Sequence, residues 1–346
     1  MKREYFLYNF ASSSVILGKF IWSLPFNRFL SCGVSGLRVT LAIMVVLFLT
    51  VITNLHNQVL GEDNRTETKK PDIQDVWMIT TETASWTRAT ESEFGKILYW
   101  RLVRSGSRSY WERSDAAAFF VTQNPEVPVL IFSPGYTSTK SDTVEIGLKI
   151  LSLFDSGKRL RMVFWQWPAE KLGCRLLPDI RSKIPVAEAN GAYMSMLLKR
   201  LKPESKVSVL GFSFGTRLLG DAVEGVGDLK PSGMKINLIY GGAAADRQWL
   251  AKNNRNGNVP KIAHKILIFH NPDDFRLKFY PCLYENENNI QSLGSNGAPM
   301  KFIDPEYHKK IEMVNLAPYI GFRHRTITLI STKQFQDRIN EYFFFE

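Results

Sequence analysis

Ser213 stands at the centre of the stretch GFSFG, with a glycine two residues before it and another two residues after it. Residues 207–210 are mainly β-branched and apolar, which is typical of a buried strand, and residues 216–223 favour a helix. A strand that turns directly into a helix needs a tight, strained bend, and the two glycines leave room for it. The context therefore predicts a nucleophile elbow that exposes the serine hydroxyl, with an incidental turn as the alternative.

A serine hydroxyl is a weak nucleophile near neutral pH, so it needs a base, which is usually a histidine. Where such triads occur on open α/β sheets, the chain order is serine, acid, histidine. Of the five histidines, His308 and His324 follow Ser213 at positions that suit a base. His324 comes after a predicted strand and a glycine-bearing loop, and it is the preferred base. His308 lies in the polar segment PEYHKK and is the alternative.

The carboxylate that orients the base is expected at the end of a strand. Asp273 and Asp274 end the apolar stretch KILIFHNPDD, and Asp274 is the first choice. Asp246 ends the preceding predicted strand in GGAAAD and is the rival acid. Capping a turn is the alternative role for all three, because aspartate is common at strand ends for that reason.

Acyl transfer also needs two backbone N–H groups directed at the developing negative charge. Phe214, the residue after the nucleophile, is expected to supply one of them. Tyr136, in the loop FSPGYTST, is expected to supply the other, since Gly135 allows a close approach and Pro134 has no N–H. The aromatic side chains near these segments are candidates for an apolar acyl pocket or, equally, for the core: Phe212, Phe214, Tyr136, Trp165 and Trp167.

These residues must be positioned by an α/β domain, because predicted strands alternate with predicted helices along the chain. Strands are predicted at 76–81, 97–103 and 129–132, and in LRMVFWQWPA, INLIYGGAAAD, KILIFHNPDD and IEMVNLAPYIGFRH. Helices are predicted in SDAAAFFV and at 143–154, 187–201 and 334–344. The pattern predicts a mainly parallel central sheet with helices on both faces.

Several segments together resemble a bacterial family of α/β-hydrolases of unknown function, whose members often carry export signals. They are VLIFSPGYTSTKSD, VFWQWPAEKLG, VAEANGAYMSMLLKRL, GFSFGTRLL and NPDDFRLKF with the following QSLGSNGAP, so the resemblance covers the chain from residue 76 onward. It implies an α/β-hydrolase fold with Ser213 as nucleophile, Asp274 as acid and His324 as base. Pro134 and Phe212 stand where the family usually has histidines, which makes the mouth of the site more apolar.

An uncharged, aliphatic segment at residues 39–55 follows a basic stretch and precedes acidic residues. This polarity predicts a membrane segment with the bulk of the chain exported. The segment is either an uncleaved anchor or a signal peptide whose true start lies near residue 38. The predicted organisation is therefore a basic extension (1–38), the membrane or signal segment (39–55), a linker (56–74) and an α/β-hydrolase domain (75–346).

The 346 residues carry a formal charge of +11, but lysine and arginine are scattered and no nucleic-acid-binding motif accompanies them. The sequence predicts a serine hydrolase that cleaves an ester or related acyl bond of a small-molecule or lipid-like substrate through an acyl-enzyme. This chemistry needs no metal or organic cofactor. The alternative is a catalytically silent binding or envelope protein on the same scaffold.

Overall fold

The computed structural model describes residues 5–6, 75–105, 108–154, 158–173, 175–284 and 290–344. The predicted membrane segment, the linker and nearly all of the basic extension lie outside these ranges, so export and the domain boundaries stay predictions. None of the helices within these ranges has both the length and the apolar character to span a bilayer.

A mixed sheet of ten strands forms the centre of the described chain. The strands are β1 (Tyr5–Phe6), β2 (Asp75–Thr80), β3 (Leu98–Ser105), β4 (Arg108–Ser114), β5 (Val129–Ser133), β6 (Arg161–Gln166), β7 (Lys206–Phe212), β8 (Lys235–Gly241), β9 (Lys265–His270) and β10 (Ile311–Asn315). Their spatial order is β1-β4-β3-β2-β6-β5-β7-β8-β9-β10. The seven neighbouring strands from β2 to β10 in this order run parallel, while β3 pairs antiparallel with both β2 and β4.

Helices connect the strands and cover both faces of the sheet. The α-helices are α1 (Glu91–Phe94), α2 (Ala116–Val121), α3 (Lys140–Leu151), α4 (Leu176–Lys199), α5 (Arg217–Val226), α6 (Val259–Ile262), α7 (Leu293–Asn296), α8 (Ala317–Ile320), α9 (Thr326–Ile330) and α10 (Lys333–Tyr342). Short 3₁₀ turns add Ser213–Thr216, Gly227–Leu229, Arg247–Leu250, Leu277–Leu283, Met300–Phe302 and Pro305–Lys310.

Two apolar cores lie on the opposite faces of the sheet, and successive side chains along a strand belong to each core in turn. On β5, Val129 and Ile131 join one core, whereas Leu130 and Phe132 join the other. Helices α4 and α5 close the first core, and α3, α9 and α10 close the second. The predicted architecture, a mainly parallel sheet with helices on both faces, is confirmed.

Element boundaries differ from the prediction in a few places. Helix α3 begins before residue 143, because Thr139 forms a capping box with Asp142. Helix α4 begins at Leu176 and contains Pro185, so the predicted start at residue 187 is wrong. The last predicted strand ends at Asn315 and is followed by α8. Strand β4 was not predicted.

Candidate active site

The elbow at the end of β7 places Ser213 in a strained conformation. Its φ of 51° lies in the left-handed region, which a side chain other than glycine rarely adopts. A Cβ on Gly215 would lie 2.2 Å from the carbonyl oxygen of Pro134, and a Cβ on Gly211 would lie 2.9 Å from that of Gly215. Both glycines are therefore required by close backbone approach, and strand, turn and helix follow in the predicted order.

The backbone around Ser213 is held by hydrogen bonds to its carbonyl oxygen. The N–H of Ala244, just after β8, donates to this oxygen over 3.1 Å, and the Thr216 hydroxyl donates to it over 2.5 Å. These bonds tie the elbow to the neighbouring strand end. A strained residue persists when its surroundings fix it in this way.

Ser213, His324 and Asp274 form a continuous chain of side-chain contacts. Oγ of Ser213 lies 2.8 Å from Nε2 of His324, and Nδ1 of His324 lies 2.5 Å from Oδ2 of Asp274. The side chains of His324 and Asp274 are 4% and 3% exposed. The structure thus brings together the three residues that the sequence singled out, with the imidazole within hydrogen-bond distance of both the serine hydroxyl and the carboxylate.

His324 is positioned by the segment that follows β10. Helix α8 ends at Gly321, whose φ of 55° turns the chain back toward the sheet. The side-chain amide of Asn271 donates to the carbonyl oxygen of Gly321 over 2.6 Å and so links this segment to the end of β9. The ring of Phe212 packs against the imidazole at a centroid distance of 4.9 Å, which limits its rotation.

Asp274 divides its two carboxylate oxygens between the histidine and the backbone. Oδ1 accepts the N–H groups of Arg276 and Leu277 over 3.0 and 3.2 Å, which leaves Oδ2 for His324. The N–H of Asp274 donates to the carbonyl oxygen of Asn271 over 3.2 Å. The carboxylate is therefore fixed in direction before any substrate binds.

The alternative acids and base lie elsewhere. Asp273 is exposed, and Asp246 caps the turn Arg247–Leu250 by accepting the N–H of Gln248. Nε2 of His308 lies 2.9 and 3.0 Å from the carbonyl oxygens of Met300 and Ile303. The contacts of His324 among the described residues thus include Asp274 but neither of the other two acids.

The predicted oxyanion donors, the N–H groups of Tyr136 and Phe214, belong to segments that adjoin Ser213. Tyr136 follows Gly135, at which a Cβ would lie 3.1 Å from Cβ of Ser213, so this loop touches the nucleophile. The Tyr136 N–H has no acceptor among the hydrogen bonds of the described chain. The N–H of Phe214 lies in the first turn of Ser213–Thr216, where helical turns leave donors without an internal acceptor.

The Tyr136 side chain anchors this loop to α4. Its hydroxyl donates to Oδ2 of Asp179, while Oδ1 of Asp179 accepts the N–H groups of Leu172 and Gly173 over 3.0 and 2.8 Å. Burial and the adjacent Asp179 carboxylate raise the pKa of the Tyr136 hydroxyl, so it stays protonated. The hydrogen bond from Tyr136 is the main cause that lowers the pKa of Asp179. No local pattern signals this pair, because the two residues are 43 positions apart in the chain.

A groove of about 300 Å³ opens beside Ser213 and His324. Of the aromatic residues proposed for an acyl pocket, Tyr136 and Phe212 line the groove, whereas Trp165 and Trp167 are fully buried in the core. The walls also carry charged residues that the sequence did not point to: Asp142, Glu145, Lys149, Arg276 and Arg325. The groove is therefore more polar than predicted.

No cluster of three or more histidine, cysteine, aspartate or glutamate side chains in the described ranges could hold a metal ion.

Comparison with known proteins gives no matching family model and no matching curated relative. Among solved structures, the chain is similar to a gene product of Listeria innocua (12% identity, TM-score 0.36, covering 62% of this chain and 93% of that one). It is also similar to the catalytic core domain of acetyl xylan esterase from Trichoderma reesei (13%, 0.32, 63% and 97%). A third is an esterase of Rhizomucor miehei (14%, 0.34, 70% and 80%).

The fold assignment rests on the chain's own features. Parallel strands alternate with helices on both faces, and β7 leads through a strained serine turn into α5. The acid follows β9 and the histidine follows β10, in the chain order expected of this fold. The narrower resemblance to an exported bacterial family stays a prediction. By its sheet, its elbow and the order of these three residues, the chain has the fold of the α/β-hydrolase superfamily.

Proposed function

We propose that this protein is a serine hydrolase that cleaves an ester or related acyl bond. The observation that carries the proposal is the contact chain from Ser213 through His324 to Asp274, with distances of 2.8 and 2.5 Å. A nucleophile within hydrogen-bond distance of a base, which is itself oriented by a carboxylate, is the arrangement that activates serine.

In the first half of the reaction, Nε2 of His324 takes the hydroxyl proton as Oγ of Ser213 attacks the substrate carbonyl. The carbonyl oxygen gains the negative charge, and the N–H groups of Tyr136 and Phe214 donate to it. The tetrahedral intermediate then collapses, and the leaving alcohol departs with the proton that His324 returns. The products of this half are the free alcohol and an acyl group on Ser213.

In the second half, water replaces the alcohol. His324 takes a proton from water, the resulting hydroxide attacks the acyl carbonyl, and Ser213 leaves with the proton. Asp274 acts through His324 in both halves: its carboxylate accepts a hydrogen bond from the Nδ1–H group, which keeps Nε2 unprotonated and directed at the serine. It also stabilises the imidazolium that forms when the base is protonated.

The proposal is tested by labelling the full chain with a fluorophosphonate probe, which reacts with activated serines. We expect label on the wild type, none on Ser213→Ala and at least about 100-fold slower labelling of His324→Ala, because a weak hydroxyl loses its base. His308→Ala is the matched control, since within the described part of the chain the hydrogen bonds of the His308 ring are to the backbone carbonyls of Met300 and Ile303, and it should label like the wild type. An unlabelled wild type with a normal unfolding transition would instead support a silent scaffold.

We also propose that residues 39–55 carry the domain out of the cytoplasm. The support is the charge asymmetry around an uncharged segment. Fusing alkaline phosphatase after residue 346 tests this, because that enzyme is active only where its disulfides form. Activity is expected, and it should be lost when residues 39–55 are deleted. An inactive fusion of the whole chain would contradict the proposal.

A further inference from the structure

Five charged side chains surround the groove beside Ser213: Asp142, Glu145, Lys149, Arg276 and Arg325. The first three belong to α3, on one wall. The two arginines come from the segments that carry the acid and the base, because Arg276 follows Asp274 by two residues and Arg325 follows His324 directly. The contacts of each group decide which of these charges is available to a ligand.

The two acids of the groove are already engaged. Glu145 forms an ion pair with Lys149 at 2.7 Å, one turn along α3. Oδ2 of Asp142 accepts the N–H and the hydroxyl of Thr139 over 2.9 and 2.8 Å, as part of the cap that begins the helix. The acids therefore have local partners within α3 and its cap.

Arg276 and Arg325 have no such partner. Both are exposed, and neither forms an ion pair or a side-chain hydrogen bond among the residues that the structure describes. Arg276 lies with its Cζ 5.9 Å from the ring centre of Phe275, a contact that leaves its N–H groups open. Two uncompensated guanidinium groups thus face a groove that also contains Ser213 and His324.

We propose that the substrate carries an anionic group, a carboxylate or a phosphate, which Arg276 and Arg325 bind while Ser213 attacks the nearby acyl carbon. This inference rests on the proposed serine hydrolase function and names its substrate class. Guanidinium groups match these anions because their planar N–H donors can pair with two oxygens at once. Lys149 is paired with Glu145, and Asp142 adds one negative charge against the two arginines. The groove is therefore net positive, and the arginines determine the sign of the ligand.

The test compares esters that differ only in the negative charge. On the acyl side, mono-4-nitrophenyl esters of dicarboxylic acids with four to six carbons are measured against the neutral 4-nitrophenyl acyl esters of the same length. On the alcohol side, two anionic acetate esters, 4-acetoxybenzoate and 4-acetoxyphenyl phosphate, are measured against the neutral ester methyl 4-acetoxybenzoate. Ser213→Ala gives the rate of spontaneous hydrolysis, which is subtracted in each case.

We expect the wild type to prefer the anionic ester on one of the two sides. Arg276→Gln and Arg325→Gln should each lower kcat/KM for that ester about tenfold more than for its neutral match, since a charge-assisted hydrogen bond is lost. The preference should also fall as salt increases, because both arginines are exposed. The ester series that shows the preference identifies whether the acyl side or the alcohol side of the substrate carries the anion. The anion that gives the higher kcat/KM, carboxylate or phosphate, identifies the anionic group.

Arg323→Gln is the matched control. It removes the same charge from the same segment, but Arg323 does not line the groove beside Ser213. Its ratio of anionic to neutral kcat/KM should equal that of the wild type. If all three variants lower the ratio equally, the effect is one of general charge, and the specific role of Arg276 and Arg325 is overturned.

Fluorophosphonate labelling separates this inference from the proposed function. If Ser213 labels but neither arginine variant changes the preference for anionic esters, the inference fails and the serine hydrolase stands. If Ser213 does not label on a folded chain, the proposed function fails first. A further supporting outcome needs no turnover: inorganic phosphate or succinate should slow the labelling of Ser213, and this inhibition should be weaker in the two arginine variants.

Discussion

The carboxylate of Asp274 reaches the imidazole of His324 at 2.5 Å while its other oxygen accepts two backbone N–H groups. We predict that Asp274→Asn slows fluorophosphonate labelling by about 10²–10⁴-fold, because an amide can donate to Nδ1 and so leave the proton on Nε2. The labelling rate constant, measured at fixed probe concentration, checks this prediction.

Asp273→Asn serves as the comparison for that variant. Asp273 is the adjacent acid, but its side chain is exposed and makes no contact with His324. Its labelling rate should stay within about twofold of the wild type, as expected for a surface change. Equal losses for the two variants would show that Asp274 acts through the local charge alone, and not through its bond to His324.

The close contact of Gly135 with the elbow predicts that a methyl group added at this position lowers both activity and stability. A Cβ at this position would lie 3.1 Å from Cβ of Ser213 and 3.2 Å from the carbonyl oxygen of Phe212. Gly135→Ala should therefore displace the loop that carries the Tyr136 N–H, which lowers the labelling rate at least about tenfold. The same overlap should lower the free energy of unfolding by about 1–3 kcal/mol. Labelling and urea unfolding are measured on the same sample.

Gly95→Ala is the control for the added methyl group. Gly95 has a φ of −62°, and a Cβ there would meet its nearest neighbour at an ordinary 3.4 Å. The free energy of unfolding should change by no more than about 1 kcal/mol, and the labelling rate by no more than about twofold. If Gly135→Ala labels at the wild-type rate, the loop is not needed to stabilise the transition state.

Arg217, at the start of α5, is 1% exposed and connects the elbow to the segment after β9. Its Nη1 donates to the hydroxyls of Tyr284 and Tyr280 over 3.0 and 3.2 Å, and its Cζ lies 4.6 Å from the ring centre of Trp249. Arg217→Ala should lower the free energy of unfolding by about 3 kcal/mol, because it leaves a cavity and removes the donor that the two tyrosine hydroxyls share. Arg217→Met retains volume and should cost less; equal stability of all three proteins in urea would contradict the assigned packing role.

The surroundings of His264 predict a dependence of stability on pH. His264 is exposed, but a partial loss of solvation, and then four nearby lysines (Lys230, Lys235, Lys265 and Lys310), lower its pKa in the folded chain. Between that value and the ordinary pKa of about 6.5, the unfolded chain binds more protons than the folded one. Stability should therefore decrease as the pH falls through this interval.

His264→Gln removes this contribution. The variant should lose less free energy of unfolding than the wild type when the pH is lowered from roughly 7.5 to roughly 5.5, a range that spans the ordinary histidine pKa. Added salt should reduce the difference, because it screens the lysines. Identical pH profiles for the two proteins would show that His264 does not titrate differently on folding.

The buried strands are predictable because parallel strands covered on both faces contain continuous apolar runs, as in β5 and β9. Strand β4 is not predicted from the sequence, since three residues of RSYWERS are charged and one of the seven, Trp111, is buried. Helix α4 was predicted too short because Pro185 normally ends a helix, whereas here it lies within one. Local rules describe the centre of this sheet better than its periphery.

Ser213, Asp274 and His324 can be selected from the sequence, because one motif and the order of the predicted strand ends point to them. The charges of the groove did not, because they depend on how α3 approaches the segments after β9 and β10. Arg276 and Arg325 look like ordinary surface residues until that approach is known. Contacts between segments distant in the chain have no local signal.

The contact between Ser213 and His324 joins residues 111 positions apart, and that between Asp274 and His324 joins residues 50 apart. During synthesis the strand that bears the nucleophile therefore emerges long before the residue that would activate it. A nascent chain that ends short of β10 has a serine and an acid but no base. Under the roles proposed above, the protein gains its reactivity only when its last strand joins the sheet.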